Sequence, residues 1–522
     1  MDDLEPSSDG RSGNGALRHQ TVPTLGTETF DVVCIGGGTA GMTAARIARG
    51  RGRSVALIES EAGLGGDCTY WGCVPSKTLI SIAGLAAQNQ RHAGLGFVAA
   101  PPDFARVMAH QRGIVAAAAH RERAQLFERD GISVISGPAR LESAQVVRVG
   151  ERVLGAGRVV IATGTDPVLP PIPGLEQTPH LTNRTIFALT QLPERLLVLG
   201  GGPIGLELGQ AMARLGSQVT ILEAADTLLT NDEPDAGRVL EDALRGEGID
   251  VQLGATTDRV RARGEEVSVS VTSGDQQREL VADALLVAVG RAPRTSGLNL
   301  EALGVKTDAR GFIEVDRRMR ASQTHLYAAG DVTGGLQFTH VAAYEGQIAG
   351  ANASGGRKKA SYRVIPWVTF TDPEVAHVGL TEAQARDRHG GQVRVATYPM
   401  RLVDRAAITG RPEGFIKLIT RQRGRIGRAT GGTLLAAQIV GAHAGELIHE
   451  AVISMQARTF TGRLAQAVHA YPSMSVGIQQ ASAQLFADGR LLAPVGDEAA
   501  PDQTTPKAST AGFGISAQPE AE

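Results

Sequence analysis

Cysteine is almost missing from this chain: 522 residues contain only Cys34, Cys68 and Cys73. A framework of structural disulfides is thereby excluded. A bond between any two of these cysteines is expected to be catalytic, in a reducing compartment such as the cytoplasm. Lysine is scarce as well, with six among 52 basic residues, so each lysine in a motif carries weight. Neither sign of charge is in excess. The net charge of −2 leaves no overall basic field for nucleic acid or an anionic membrane surface. No apolar run reaches the roughly 18 residues of a membrane span, and none is expected to insert. The opening MDDLEPSSDGRSGNG is acidic and polar, unlike a signal peptide. No metal site is read from the sequence.

What is present points to a globular protein. Hydrophobic residues make up 42% and charged residues 20%. At about 100–200 residues per domain, the length suggests three or four domains. Glycine is abundant at 65 residues, about 12% against a usual 7% or so. The glycines have no period of three, which excludes collagen. They gather at the ends of apolar runs, where phosphate loops occur.

Residues 1–27 and 489–522 read as disordered tails, because their composition buries too little to offset ordering entropy. Between them strands and helices alternate. FDVVCIG (30–36) predicts a buried strand, TAGMTAARIARGRG a small-residue helix, and SVALIES (54–60) a second strand. RLLVLGGG (195–202), IGLELGQAMARLG and SQVTILE (217–223) repeat that βαβ grammar. Residues 364–488 mix strand-like runs with one long helical segment, AGELIHEAVISMQA. The expected fold class is α/β: two Rossmann-like dinucleotide-binding domains and a C-terminal α+β domain.

Each βαβ unit carries a glycine motif between its first strand and its helix. The first is Gly36-x-Gly38-x-x-Gly41, and Glu59 ends the following strand. The first glycine makes the turn, the second admits a pyrophosphate, and the third lets helix and strand pack closely. Helix N-terminal amides then face the phosphates. The second motif is Gly200-x-Gly202-x-x-Gly205, with Glu223 in the equivalent place. An acid there suits a ribose 2′-hydroxyl, and residues 224–230 hold no Arg or Lys for a 2′-phosphate. NADH is therefore expected in preference to NADPH.

The segment Gly65-Gly66-Asp67-Cys68-Thr69-Tyr70-Trp71-Gly72-Cys73-Val74-Pro75-Ser76-Lys77 follows the first unit. Pro75 suits the first helical position, which sets Cys73 just before a helix N-terminus. There the dipole lowers a thiol pKa. Residues five apart in a regular helix have Cα atoms about 8–9 Å apart, beyond the roughly 7 Å limit of a disulfide. If Cys68 and Cys73 bond, the Gly72 region must be non-helical.

GGDCTYWGCVPSK matches the GGxCxxxGCxPSK pattern of the class I FAD-dependent pyridine nucleotide–disulfide oxidoreductases. The chain resembles that family over about residues 29–485. Ala162-Thr163-Gly164, VAVGRAP (287–293, with Gly290), LYAAGDV (326–332, with Asp331) and TDPEVAHVGLTE (371–382) extend the likeness. The resemblance implies an FAD-binding domain from 28–165 and 291–363, an NAD-binding domain over 166–290, and a dimerisation domain over 364–488. It implies FAD at the first glycine motif, with Thr163, Gly164 and Asp331 along it, and the nicotinamide nucleotide at the second. Lys77 and Glu207 resemble the family's ion pair beside the flavin. By the same resemblance Cys73 is the thiolate against the flavin, Cys68 exchanges with substrate, and the protein is a homodimer.

One segment departs from the family. Dihydrolipoamide and glutathione reductases carry a histidine before a proline near the C-terminus and a glutamate five residues later. Here His469-Ala470-Tyr471-Pro472 places Tyr471 in the base position and Val476 in the glutamate position. A phenol with a pKa of about 10 is a poor base near neutrality; His469 stands two positions away. Mercuric reductases also carry a tyrosine there, but this chain has no cysteine after Cys73 to hold a soft metal ion. The expected function is electron transfer from a nicotinamide nucleotide through FAD to Cys68–Cys73, and on to a small disulfide or other two-electron acceptor. The alternatives are a dihydrolipoyl dehydrogenase and a non-enzymatic redox sensor.

Overall fold

The computed structural model describes residues 28–97 and 100–486. The tails expected over 1–27 and 489–522 lie outside the described residues. Strand Glu28–Ile35 runs through the first sheet, between the parallel strands Val55–Glu59 and Arg152–Ile161. Ile132–Ser136 extends the sheet beyond Val55–Glu59. Leu326–Ala328, far along the chain, adds in parallel to Arg152–Ile161. Val55–Glu59 is buried at all five positions, as a parallel strand covered on both faces should be.

Helix Thr39–Arg49 buries Ala40, Ala44, Ala45 and Ala48. Helix Thr339–Ala353 packs directly on it. The contact is close because the facing positions lack side chains. A Cβ on Gly346 would stand 2.4 Å from the Ala40 carbonyl oxygen, and one on Gly350 2.4 Å from that of Ala44.

The second parallel sheet orders Asp250–Gln252, Gln218–Leu222, Arg195–Leu199 and Ala284–Val287. Its helix, Pro203–Leu215, has proline in the first turn, where no backbone N–H is needed. A three-stranded antiparallel sheet, Ala255–Arg263, Glu266–Ser273 and Gln276–Ala282, adjoins it. The third sheet is antiparallel throughout, in the order Pro366–Thr369, Glu374–Gly379, Thr433–Gly441, Phe415–Arg421, Val393–Pro399. Helix Ala444–Ala457 buries Ala444, Ile448, Ala451 and Met455 in the core of this unit. The fold is the α/β architecture expected. Among the described residues no helix is long and apolar enough to cross a membrane.

Candidate active site

The two glycine loops have the same geometry. Gly36 and Gly200 have φ of +108° and +111°, left-handed values that side chains rarely adopt. A Cβ on Gly36 would lie 2.2 Å from the Ala162 carbonyl oxygen, and one on Gly200 2.5 Å from that of Ala288. The third glycines are packed as tightly: Cβ atoms on Gly41 and Gly205 would fall 1.8 Å and 2.1 Å from the carbonyl oxygens of Gly36 and Gly200. The second glycines differ. A Cβ on Gly202 would meet nothing within 4 Å, and one on Gly38 only the Gly66 Cα at 3.9 Å. Both line one continuous cavity of about 1720 Å³. An ordinary small-molecule pocket is about 300–1,000 Å³, so this one can take more than a single drug-sized ligand.

Glu59 and Glu223 are also equivalent. Glu59 accepts the Gly37 amide at 2.7 Å, and Glu223 accepts the Gly201 amide at 2.6 Å. Each carboxylate thus holds its own loop; Glu223 also lines the cavity.

The cysteines sit on the wall between the loops. Cys68 lies in the short helix Gly66–Tyr70 and Cys73 opens helix Cys73–Arg91. The break at Trp71 and Gly72 is the non-helical region that the disulfide geometry requires. Helix Cys73–Arg91 starts at Cys73, so Pro75 is its third residue rather than its first. Both cysteines are free thiols here. A hydrogen bond from Cys68 lowers the Cys73 thiol from 9.0 to about 6; burial opposes this, while Thr339 and Lys77 assist. Cys68 moves the opposite way, held protonated by its bond to Cys73 and by burial. The Thr339 hydroxyl lies 3.1 Å from Cys73 Sγ.

Lys77 Nζ reaches Glu207 Oε2 at 2.6 Å, and Glu207 is only 5% exposed. The other carboxylate oxygen accepts the Phe370 amide at 2.9 Å, and the Phe370 ring lies 4.7 Å from the Lys77 ammonium. Asp331 lines the cavity and accepts from Thr165 Oγ1 at 3.3 Å. Burial raises its pKa, against the opposing charge of Arg291. Arg291 pairs with Asp67 and donates to the Thr165 hydroxyl. Gly164 and Gly290 line the cavity with φ of +72° and +145°. The Thr163 hydroxyl instead donates to the Arg294 carbonyl oxygen at 2.7 Å.

Tyr471 and His469 do not line this chain's cavity. Tyr471 is 73% exposed, and its hydroxyl donates to Asp404 at 2.7 Å. That bond raises its pKa further from a base's range. The His469 ring nitrogens lie 2.9 Å from Glu450 Oε1 and 2.9 Å from the Ala467 carbonyl oxygen.

Several contacting residues carry no sequence signal. Thr339 and Phe370 approach the redox segment from far along the chain; Arg291 does so too, although it belongs to the VAVGRAP run. Arg184 stacks over Trp71, 4.0 Å from the ring centroid, and Asn183 donates to the Trp71 carbonyl oxygen.

Two glycine loops opening on one cavity, with a polarised cysteine pair on its wall, define a two-nucleotide redox enzyme. The family comparisons agree. Residues 30–346 match the pyridine nucleotide-disulphide oxidoreductase family and 365–482 its dimerisation domain. The chain is 35% identical to a mercuric reductase from Bacillus cereus, covering 87% of this chain and 71% of that protein. It is 36% identical to a dihydrolipoyl dehydrogenase from Thermus scotoductus, covering 88% and 98%. Among solved structures, the Cu(II) complex of the HOCl-induced flavoprotein disulfide reductase RclA from Escherichia coli superposes with a TM-score of 0.78. That match has 31% identity and covers 88% of this chain and 99% of that one. The chain therefore belongs to the pyridine nucleotide–disulphide oxidoreductases, flavoenzymes that move electrons between a nicotinamide nucleotide and a redox-active cysteine pair.

Proposed function

We propose that this enzyme is a mercuric reductase-like, NADH-dependent flavoprotein that reduces a small disulfide or another two-electron acceptor through Cys68 and Cys73. The observation that carries the reading is the single cavity joining both open glycines, Gly38 and Gly202, to the two thiols. The residues fit the cofactors, because the Cβ positions of those glycines point into cavity space. Gly36, Gly38, Gly41, Gly164 and Asp331 would hold FAD, with Glu59 fixing the loop. Gly200, Gly202, Gly205 and Gly290 would hold the nicotinamide nucleotide, with Glu223 selecting the 2′-hydroxyl. FAD, when bound, supplies the two-electron link between nicotinamide and cysteines. Cys73 is held as the thiolate and Cys68 keeps the exchangeable proton. Lys77, anchored by Glu207, sustains the Cys73 charge.

The domain division is 28–165 with 291–363, then 166–290, then 364–488, in a cytoplasmic homodimer. An Hg(II) acceptor is disfavoured, because no cysteine follows Cys73. A dihydrolipoyl dehydrogenase is disfavoured because Tyr471, a poor base near neutrality, stands where that enzyme carries its histidine. Anaerobic titration with NADH and NADPH, with thiols counted before and after, tests the reading. NADH is expected to uncover two thiols, and Cys73→Ser to abolish this. Flavin bleaching with no new thiols would leave the redox sensor. A panel of lipoamide, glutathione disulfide, Hg(II), quinones and oxygen then identifies the acceptor.

A further inference from the structure

The chain between Cys68 and Cys73 must bring two sulfurs close enough to bond and let them part on reduction. As thiols the two are hydrogen-bonded to each other. Trp71 lies in the break between them, with φ −137° and ψ 4°, and lines the cavity. Both of its backbone polar groups are satisfied. Its amide donates to the Asp67 carbonyl oxygen at 2.9 Å, and its own carbonyl oxygen accepts from Asn183 Nδ2 at 3.1 Å. Gly72, next along, packs closely as well: a Cβ there would lie 2.9 Å from the Asp67 carbonyl oxygen.

The Trp71 ring is held too. The Arg184 guanidinium lies 4.0 Å from its centroid, a cation–π contact. Two carboxylates fix that guanidinium in turn. Its Nη1 donates to Asp166 Oδ1 at 3.0 Å and its Nη2 to Glu61 Oε1 at 2.6 Å. Asn183, the donor to the Trp71 carbonyl, is 5% exposed. Asn183 and Arg184 belong to a segment pinned to the second unit on both sides. Before them, the Leu181 amide donates to the Leu285 carbonyl oxygen, and the Leu181 carbonyl oxygen accepts from the Val287 amide. After them, Ile186 and Phe187 are buried in one core with Leu196, Val198 and Leu206. A short strap from the nucleotide-binding unit thus grips the redox segment, apart from the Lys77–Glu207 pair.

We propose that Asn183 and Arg184 are positioning residues for the cysteine pair: by clamping Trp71 they keep the Cys68 and Cys73 sulfurs together and so favour the disulfide over the dithiol. The inference rests on the function proposed above, in which this pair is the redox centre. The physical reason is conformational entropy. In the dithiol, a released Trp71 lets the break take other conformations, and the sulfurs separate. The disulfide closes a ring through residues 68–73 that forbids those conformations with or without the clamp. Releasing Trp71 therefore adds states to the dithiol alone and shifts the balance toward it. Oxidation removes two electrons and two protons from the thiols as the S–S bond forms, and reduction returns them. The clamp exchanges neither; it sets only how readily the ring closes.

The test equilibrates FAD-loaded enzyme anaerobically with mixtures of oxidised and reduced dithiothreitol near neutral pH. Oxidised dithiothreitol takes the two electrons and two protons from the pair and opens to its dithiol. After quenching, thiols at Cys68 and Cys73 are trapped with N-ethylmaleimide and counted by mass spectrometry. Arg184→Leu should shift the equilibrium toward the thiols by about tenfold, or about 30 mV. Asn183→Ala should shift it in the same direction. Arg184→Lys keeps a cation for the ring but loses the fork to Asp166 and Glu61, and should recover part of the effect. In a Trp71→Leu background, Arg184→Leu should add nothing, because it acts through that ring. A contact that only stabilised the fold would lower the melting point and leave this equilibrium in place. A shift below about threefold in Arg184→Leu, or an equal shift in the Trp71→Leu background, overturns the proposal. If Arg184→Leu does not fold with FAD, Asn183→Ala and Arg184→Lys take its place, and no shift in either overturns it equally. If the wild-type pair forms no disulfide under oxidised dithiothreitol, the function proposed above fails and this inference with it. A wild-type disulfide that none of these variants moves defeats the inference alone.

Discussion

The second and third glycines of each motif should separate folding from cofactor binding. Gly38 is the N-cap of its helix with φ −77° and ψ −176°, a conformation alanine adopts freely. Gly41 lies inside the same helix, where alanine is normally favoured. Backbone preference therefore predicts no penalty at either position, and space decides. A Cβ on Gly41 would lie 1.8 Å from the Gly36 carbonyl oxygen. Gly36 cannot retreat, being itself packed against the Ala162 carbonyl. Gly41→Ala must then pry helix from loop, at about 3 kcal/mol or somewhat more. That corresponds to a melting point lowered by roughly 6–12 °C for a domain of this size. Gly38→Ala should leave the cofactor-free melt within about 0.5 kcal/mol of wild type, because its Cβ enters cavity space. It should instead weaken FAD binding by about tenfold, or 1.4 kcal/mol, and the stabilisation by added FAD should shrink accordingly. Thermal melts of stripped and reloaded protein provide both numbers. A Gly38→Ala protein that melts low without FAD, or a Gly41→Ala protein that melts normally, would refute the reasoning.

Three further substitutions probe the interior. Lys417 lies 2.7 Å from both Glu233 and Glu382, and Glu233 is 3% exposed, so Lys417→Met strands a buried charge; urea unfolding should show a loss of about 3 kcal/mol, and a loss below about 1 would contradict this. Cys68→Ala removes the principal donor to Cys73, whose pKa should climb from about 6 toward 9.0. At neutral pH the thiolate ultraviolet absorbance should largely disappear; an unchanged midpoint would show that Lys77 or the helix dipole dominates. In the wild type the depressed value means that the thiolate's contribution to stability is complete above about pH 9 and is lost as pH falls through about 6. Glu207→Gln preserves an acceptor for Phe370 but leaves Lys77 unpaired, at about 1–2 kcal/mol given Lys77's partial exposure. It should move the Cys73 midpoint further down, since the Glu207 carboxylate raises it; an upward movement would contradict the assigned electrostatics.

The local features of the site were legible in the sequence because each is a short pattern with one backbone solution. Gly36 and Gly200 need positive φ, and their motifs announce strand, turn and helix in order. Cys68 and Cys73 imposed a break in the helix, and it falls at Trp71–Gly72. The contacts that finish the site were not legible, because they are set by packing between segments distant in the chain. Thr339 meets Cys73 only because Gly346 and Gly350 let its helix settle onto Thr39–Arg49. Phe370 offers Glu207 a backbone amide, a donor every residue but proline has. Thr163 stood inside a recognisable motif, yet its hydroxyl faces the Arg294 carbonyl, a rotamer no motif specifies.

Helix Cys73–Arg91 decides why the cysteines serve both nucleotide loops. It begins at the redox segment beside the first loop. Farther along, however, Leu79 and Ala83 join Leu196, Val198 and Leu206 of the second unit in one core. Lys77, one turn past Cys73, meets Glu207 on the helix that opens at Gly202. At its far end, Arg91 lies 3.7 Å from Asp372 of the third unit. The helix is therefore tied to the second and third units as well as to the first, whose Thr339 meets Cys73. A hinge between the two nucleotide units would have to break the Lys77–Glu207 pair and open the Leu79–Leu206 core together. The distance from the thiols to each loop is thus fixed by the same packing that buries this helix.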